Sequence, residues 1–232
     1  MPLTAVLVAA CAQAAGSGSG ASGSTHPSRS AAAQSPKAVA SPSPTPWPVV
    51  LPVPTVQPGE PQTTDEPPAS NPEFGAEMTD LWAGVASGQP QLAMPAFFPL
   101  AAYEQVKAIA DPASDWQNRL VAEYAADVMA AHALLGSDGR AAQLVGITVP
   151  ESEAGWITPG VCSNKLGYWH VANARLVYSI NGQTRSFGIS TLISWRGQWY
   201  VVHLGGELRA SVGGMVDQPA IGPGTAGPPG GC

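Results

Sequence analysis

Apolar residues follow two rhythms along this chain, a helical one from about residue 71 and an alternating one from about residue 141. Phe74, Met78, Leu81, Trp82 and Val85 recur at helical spacing behind Asn71-Pro72, where a capping side chain precedes a proline suited to the first helical position. Ser87-Gly88 closes that helix. Leu100, Tyr103 and Val106 predict a shorter helix from about Pro99 to Ala110, stopped by Asp111-Pro112. Trp116, Leu120, Tyr124, Val128 and Leu135 form one stripe of a longer third helix from about Ser114 to Leu135, with Gly136 at its C-terminal end. Such a stripe needs a covering layer.

The second rhythm predicts that layer as an antiparallel sheet. Leu144 to Val149 reads as a strand, Asn181-Gly182 as a tight hairpin turn and Arg196-Gly197 as a second, weaker one. Two-residue loops place Ile180 opposite Gln183, Leu176 opposite Phe187 and Ile193 opposite Tyr200. One face then collects Leu176, Tyr178, Ile180, Phe187, Ile189, Ile193, Tyr200, Val202 and Leu204 and is expected to be the core. The other carries Ser186, Gly188, Ser190, Leu192, Ser194, Trp199, Val201 and His203, and reads either as solvated or as a homodimer surface. Helices followed by a meander of strands define the class α+β, with N-terminal helices packed on a curved antiparallel sheet.

Composition changes the picture upstream. From Ala12 to Gly59 the only Lys or Arg residues are Arg29 and Lys37, no Asp or Glu occurs, and the rest is Gly/Ser/Ala-rich and then Pro-rich, which cannot bury a core. GSGSGASGS is expected to be a flexible coil and SPSPTPWPVVLPVPTVQP a polyproline spacer. The apolar run Leu3 to Ala10 falls far short of the about 20 residues that span a bilayer and fits the core of a secretory signal. Val8-Ala9-Ala10-Cys11 has the small residues before a cysteine that a lipoprotein signal peptidase cuts, although Met1-Pro2-Leu3-Thr4 lacks the usual basic residue. Cys11 is therefore the expected lipid attachment point, with each buried CH₂ of its acyl chains contributing about 0.8 kcal/mol of membrane affinity. The expected organisation is a signal peptide at 1–10, a disordered linker at 11–70, an α+β domain at 71–210 and a Gly/Pro-rich tail at 211–232.

The chain has three cysteines, so acylation of Cys11 leaves Cys162 and Cys232 to pair in an oxidising compartment, the alternative being a free or intermolecular thiol at Cys232. Such a bridge closes a long loop, worth about 4 kcal/mol in the chain-entropy picture. A formal net charge of −6 argues against nucleic acid as a partner.

The ending Trp195-Arg-Gly-Gln-Trp-Tyr-Val-Val-His203 resembles the last hairpin of NTF2-like (cystatin-like roll) domains, and Leu81 to Pro99 is similar to their opening helix and turn. More closely, Gly160-Val-Cys162, Gly167-Tyr-Trp-His170 and Leu192-Ile-Ser-Trp-Arg-Gly197 resemble blocks of lipoproteins of high-GC Gram-positive (actinobacterial) bacteria. The resemblance implies an NTF2-like roll and brings no activity with it.

Enzymes of the roll type that resemble ketosteroid isomerase or SnoaL-like cyclases hold an acid and a base between sheet and helices. Tyr103, Tyr124, Asp127 and His132 are the residues here that could line such a space. None sits in a diagnostic motif: the tyrosines read as core filler, and Asp127, one step off the Tyr124–Val128 stripe, is expected to face water. His132, His170 and His203 lack HxxxH or HExxH spacing, and there is no GxSxG elbow, P-loop or dinucleotide fingerprint, so no catalytic residue, metal or cofactor is expected. The stretch from Gly155–Pro159 through Trp169-His170, where Gly, Pro and Trp are expected to interrupt regular structure close to Cys162, is the candidate contact region. Trp156, Trp169, His170, Trp199 and His203 are accordingly the candidate ligand or partner surface, with Trp156 and Trp169 alternatively plugging the open end of the roll. The expected function is a non-catalytic binding or structural module of the cell envelope, lipid-anchored on the extracytoplasmic side, its partner an envelope protein, glycan or lipid. The alternative is a roll-type, isomerase- or cyclase-like enzyme for a small hydrophobic substrate.

Overall fold

Asn71 starts the first helix by accepting a hydrogen bond from the Glu73 amide at 3.0 Å, and Gly88, at φ +66°, ends it. The computed structural model describes residues 62–206 and 213–228; the expected signal segment, Cys11, the expected linker as far as residue 61 and Cys232 lie outside them. Helix α1 (Pro72–Ser87) buries the stripe from Phe74 to Val85. A 3₁₀ segment (Pro90–Ala96) folds back against it, so close that a Cβ on Gly84 would stand 2.7 Å from that of Ala93.

Helix α2 (Leu100–Val106) is shorter than its sequence pattern. The reason lies in residues far along the chain: Lys107 forms an antiparallel bridge with Asn164, and Ala108 N–H donates to the Ser163 carbonyl at 2.7 Å, so the backbone turns extended after Val106. The third predicted helix is one continuous rod made of α3 (Pro112–Asp115), a π-helical turn (Trp116–Leu120) and α4 (Val121–Leu135). Its apolar stripe is buried as expected, with Phe97 stacked on Tyr124 at 4.4 Å.

The helices pack on a six-stranded antiparallel sheet, so the α+β architecture expected from the sequence is the one observed. Two 13-residue strands, β3 (Tyr168–Ile180) and β4 (Gln183–Trp195), form its spine. Short strands flank them end to end: β1 (Gln143–Thr148) and β2 (Gly155–Ile157) along β3, β5 (Gln198–His203) and β6 (Asp217–Ile221) along β4. Asn181-Gly182 and Arg196-Gly197 turn in the left-handed region, and the pairs Ile180–Gln183, Leu176–Phe187 and Ile193–Tyr200 are all present. The face with Tyr178, Trp195 and Tyr200 meets the helical layer through Trp82 and Phe98.

Several expectations need correcting. The opposite face is not solvated: Ser186, Leu192, Ser194, Trp199 and Val201 are all buried. At one end it is covered by residues 62–70, where the Trp199 indole N–H donates to Pro67 O at 2.6 Å and that of Trp169 to Thr64 O at 2.9 Å. At the other end residues 222–228 cross it, with Gly227 N–H on Asn173 O at 3.1 Å and Gly224 against the Arg175 guanidinium. Residues 62–70 therefore belong to the folded unit, the tail contributes a strand, and the face envisaged for a dimer carries the chain's own segments.

Asp127 is also not on the water side. It is fully buried and accepts three backbone N–H groups, from Leu204 and Gly205 at 3.2 Å each and from Met215 at 2.9 Å. The single step off the stripe turns it toward the chain leaving β5, whose amides need an acceptor.

Candidate functional site

Between the open end of the sheet and helices α2 to α4 lies a cavity of about 260 Å³. Seven of the side chains lining it come from the sheet: Ile157, Tyr168, His170, Thr191, Ile193, Val202 and His203. His170 pairs with Ile193 across β3 and β4, on the helix-facing side. His203 arrives by a different route. Strict alternation puts it with Trp199 and Val201 on the far face, but the ladder slips between Thr191 and Leu192, so that Leu192 pairs with Val201 and Thr191 with His203. Val202 is the extra residue of this bulge, and it carries His203 to the cavity side.

The helical wall supplies Tyr103, Lys107 and Arg119. Arg119 sits in the π-helical turn, an irregularity frequent at functional sites. The same turn buries Trp116, whose indole N–H donates to Phe98 O at 2.8 Å. Arg119 grips Asp115 with Nε to Oδ1 at 2.8 Å and Nη2 to Oδ2 at 2.5 Å, and reaches Glu123 at 3.4 Å. The Tyr103 hydroxyl donates to Asp115 Oδ2 at 2.5 Å and accepts from Arg119 at 3.2 Å. The hydrogen bond from Arg119 holds the Asp115 carboxyl below its usual range, and burial, aided by the bond to Asp115, pushes the Tyr103 hydroxyl up. Both groups keep their charge states throughout the physiological range: carboxylate and neutral phenol.

The third wall is the loop between β2 and β3. Cys162 and Ser163 both hold positive φ, +54° and +56°, a conformation costing roughly 1–3 kcal/mol per residue that surrounding structure must enforce. The enforcement is visible: Lys165 N–H donates to Val106 O at 2.6 Å, and the Lys107 ammonium donates to Cys162 O at 3.0 Å. Cys162 lines the cavity and is disulfide-bonded; Cys11 and Cys232, the only other cysteines, lie outside the described residues.

Of the residues singled out in the sequence, His170 and His203 meet in this cavity. Trp156 and Trp169 form an edge-to-face pair at 5.8 Å, half-buried, across β2 and β3 beside residue 64. Trp199 is fully buried beneath Pro67, away from both. Tyr124 donates to Ala93 O at 2.8 Å as core filler, and His132 holds Val85 O through Nδ1 at 2.8 Å. Neither lines the cavity.

Sequence reasoning missed Lys107, Arg119 and Thr191. The i, i+4 run Asp115–Arg119–Glu123 was a legible signal, yet it reads equally as a solvated ion-pair face. Among the described residues no group of three or more His, Cys, Asp or Glu is placed to hold a metal, and no helix is long and apolar enough to cross a membrane. Compared with known proteins, the chain matches no family model, no curated protein and no solved structure.

Proposed function

We propose that the chain is a lipid-tethered, extracytoplasmic binding module whose α+β domain takes a small molecule between its sheet and its helices. The cavity carries this reading. At about 260 Å³ it lies just under the roughly 300–1,000 Å³ of sites for drug-sized ligands, and it sets polar groups on β3, β4, β5 and α2 against an apolar lining of Phe98, Val106, Leu120 and Ile193. The likeness to NTF2-like rolls, which place their pockets between the same two layers, agrees with it. The tether rests on Val8-Ala9-Ala10-Cys11 and the low-complexity stretch behind it.

Among the described residues lining the cavity there is no Asp or Glu, the carboxylate base that roll-type enzymes resembling ketosteroid isomerase use; His170 and His203 are the side chains there that could take a proton. A roll-type enzyme draws on one observation, His203 Nδ1 at 3.9 Å from Glu123 Oε2, a separation beyond hydrogen-bond reach. Ligand-observed NMR of the full chain with a fragment library tests the main reading: fragments should bind the parent and lose binding in Ile193→Trp, whose indole fills the cavity. No binders, or equal binding by both, defeats it. For the tether, an alkynyl palmitate analogue fed to the producing cells should label the parent and not Cys11→Ala; an unlabelled parent removes that half of the proposal.

A further inference from the structure

We infer that the loop between β2 and β3, residues 158–167, is a docking surface for the lipid bilayer, its apolar tips entering the head-group boundary; this rests on the lipid-tether half of the reading above. Val161 and Leu166 on the loop and Ile109 beyond α2 are 46%, 38% and 37% exposed, three of the exposed large apolar side chains among the described residues. The backbone brings them to one end of the domain. Ala108 N–H on Ser163 O at 2.7 Å sets Ile109 beside the loop, and Lys165 N–H on Val106 O at 2.6 Å fixes the approach to Leu166. Gly160 N–H donates to Asn164 O at 2.9 Å and Asn164 N–H to Val161 O at 3.1 Å, so Val161 stands on a closed turn. An apolar side chain held on ordered backbone has less entropy to lose on burial.

Behind the tips stand side chains suited to a lipid–water boundary. Trp156 and Trp169, half-buried and edge to face, lie on the two strands flanking the loop, and Gly167 lets Trp156 rest against it, since a Cβ there would clash with the indole. Lys165 is exposed at the loop's end, an ammonium with one proton on Glu104 O at 2.9 Å. From Gly155 to Ile180 the sequence has no Asp or Glu, in a chain of net charge −6. Glu104 and Asp111 are exposed on the α2 side, so apolar burial rather than charge carries the attachment. The occupant follows from where the tether joins. Gln62, at the start of the described residues, donates to Gly167 O at 2.9 Å and accepts the Arg196 amide at 2.7 Å, so the chain arriving from Cys11 meets the domain at the loop that carries Leu166. An acylated Cys11 keeps this end at a high effective concentration of bilayer, where a few apolar side chains suffice.

Tryptophan quenching tests this with the full chain as isolated from the producing cells, carrying Trp47→Phe, on phosphatidylcholine–phosphatidylglycerol vesicles whose acyl chains are brominated near the glycerol. Trp82, Trp116, Trp195 and Trp199 are buried, so the signal reports Trp156 and Trp169. The expected result is quenching relative to unbrominated vesicles, with docking about tenfold weaker in Val161→Asp/Leu166→Asp, whose charges replace the apolar tips. Chain that floats with the vesicles yet is not quenched overturns the docking surface and leaves the tether reading intact, a result that stands even if the variant fails to fold. Equal quenching of parent and variant also overturns the surface. Chain that does not float with vesicles at all overturns both.

Discussion

His203 faces Thr191 across β4 and β5 only because Val202 is bulged out of the ladder between them. A single extra residue thus decides whether an imidazole lies on the far face of the sheet, the side of Trp199, or in the cavity with His170. The bulge, the π-helical turn under Arg119 and the left-handed pair at Cys162–Ser163 are three irregularities from three elements, and all border the same space. Clustering of this kind is characteristic of sites rather than of cores.

Asp127 should be the most sensitive buried acid. Asp127→Ala leaves the amides of Leu204, Gly205 and Met215 without this acceptor and is expected to cost on the order of 3–5 kcal/mol, with Asp127→Asn intermediate because one oxygen remains. Urea denaturation measures it; a loss below about 1 kcal/mol for the alanine variant would show that the carboxylate does not hold this segment.

Glu77 makes stability fall on the alkaline side. Burial, with Glu73 and Asp80 on the same helix, pushes its carboxyl from the ordinary 4.5 to about 8. The folded state keeps a proton that the unfolded chain gives up, so this contribution is intact below about 4.5 and drains away as pH climbs toward 8. Glu77→Gln should melt several degrees above the parent at pH 8.5 and close to it at pH 4.5. Coincident melting at the higher pH would refute the assignment.

How much of this was legible in the sequence divides along the range of the interactions. Asn71-Pro72, Asn181-Gly182 and Arg196-Gly197 declare caps and turns through their own backbone preferences, and the strand registers followed from them correctly. The bulge did not, because Val202 is an ordinary strand residue and its extra place in the ladder depends on what lies opposite. Nor did the ordering of residues 62–70 and 222–228, whose Pro/Gly composition reads as spacer while their partners, Trp199, Trp169, Asn173 and Arg175, lie elsewhere in the chain. Helix α2 ended early for the same reason, a bridge to Asn164.

Arg175 should hold the C-terminal strand. Its buried guanidinium donates to Ser186 Oγ at 2.8 Å and Gln218 O at 2.9 Å. Arg175→Met keeps the volume and removes the donors, so amide exchange should accelerate over residues 217–225 while residues 187–193 stay protected. Uniform acceleration across the sheet would show instead that Arg175 supports the whole fold.

Trp199→Phe deletes the donor to Pro67 O while keeping most of the buried ring. A loss of about 1 kcal/mol is expected in denaturant melts, together with easier proteolysis near residue 67. Unchanged proteolysis would mean that other contacts fasten the segment.

Gln62, Thr64 and Pro67 engage the sheet in sequence, the first through Gly167 O and the Arg196 amide, the others through tryptophan indoles. Tension arriving from upstream would meet these three fasteners one after another, as in a peeled seam. Helix α1 and the chamber behind it would feel no pull until the last had given way.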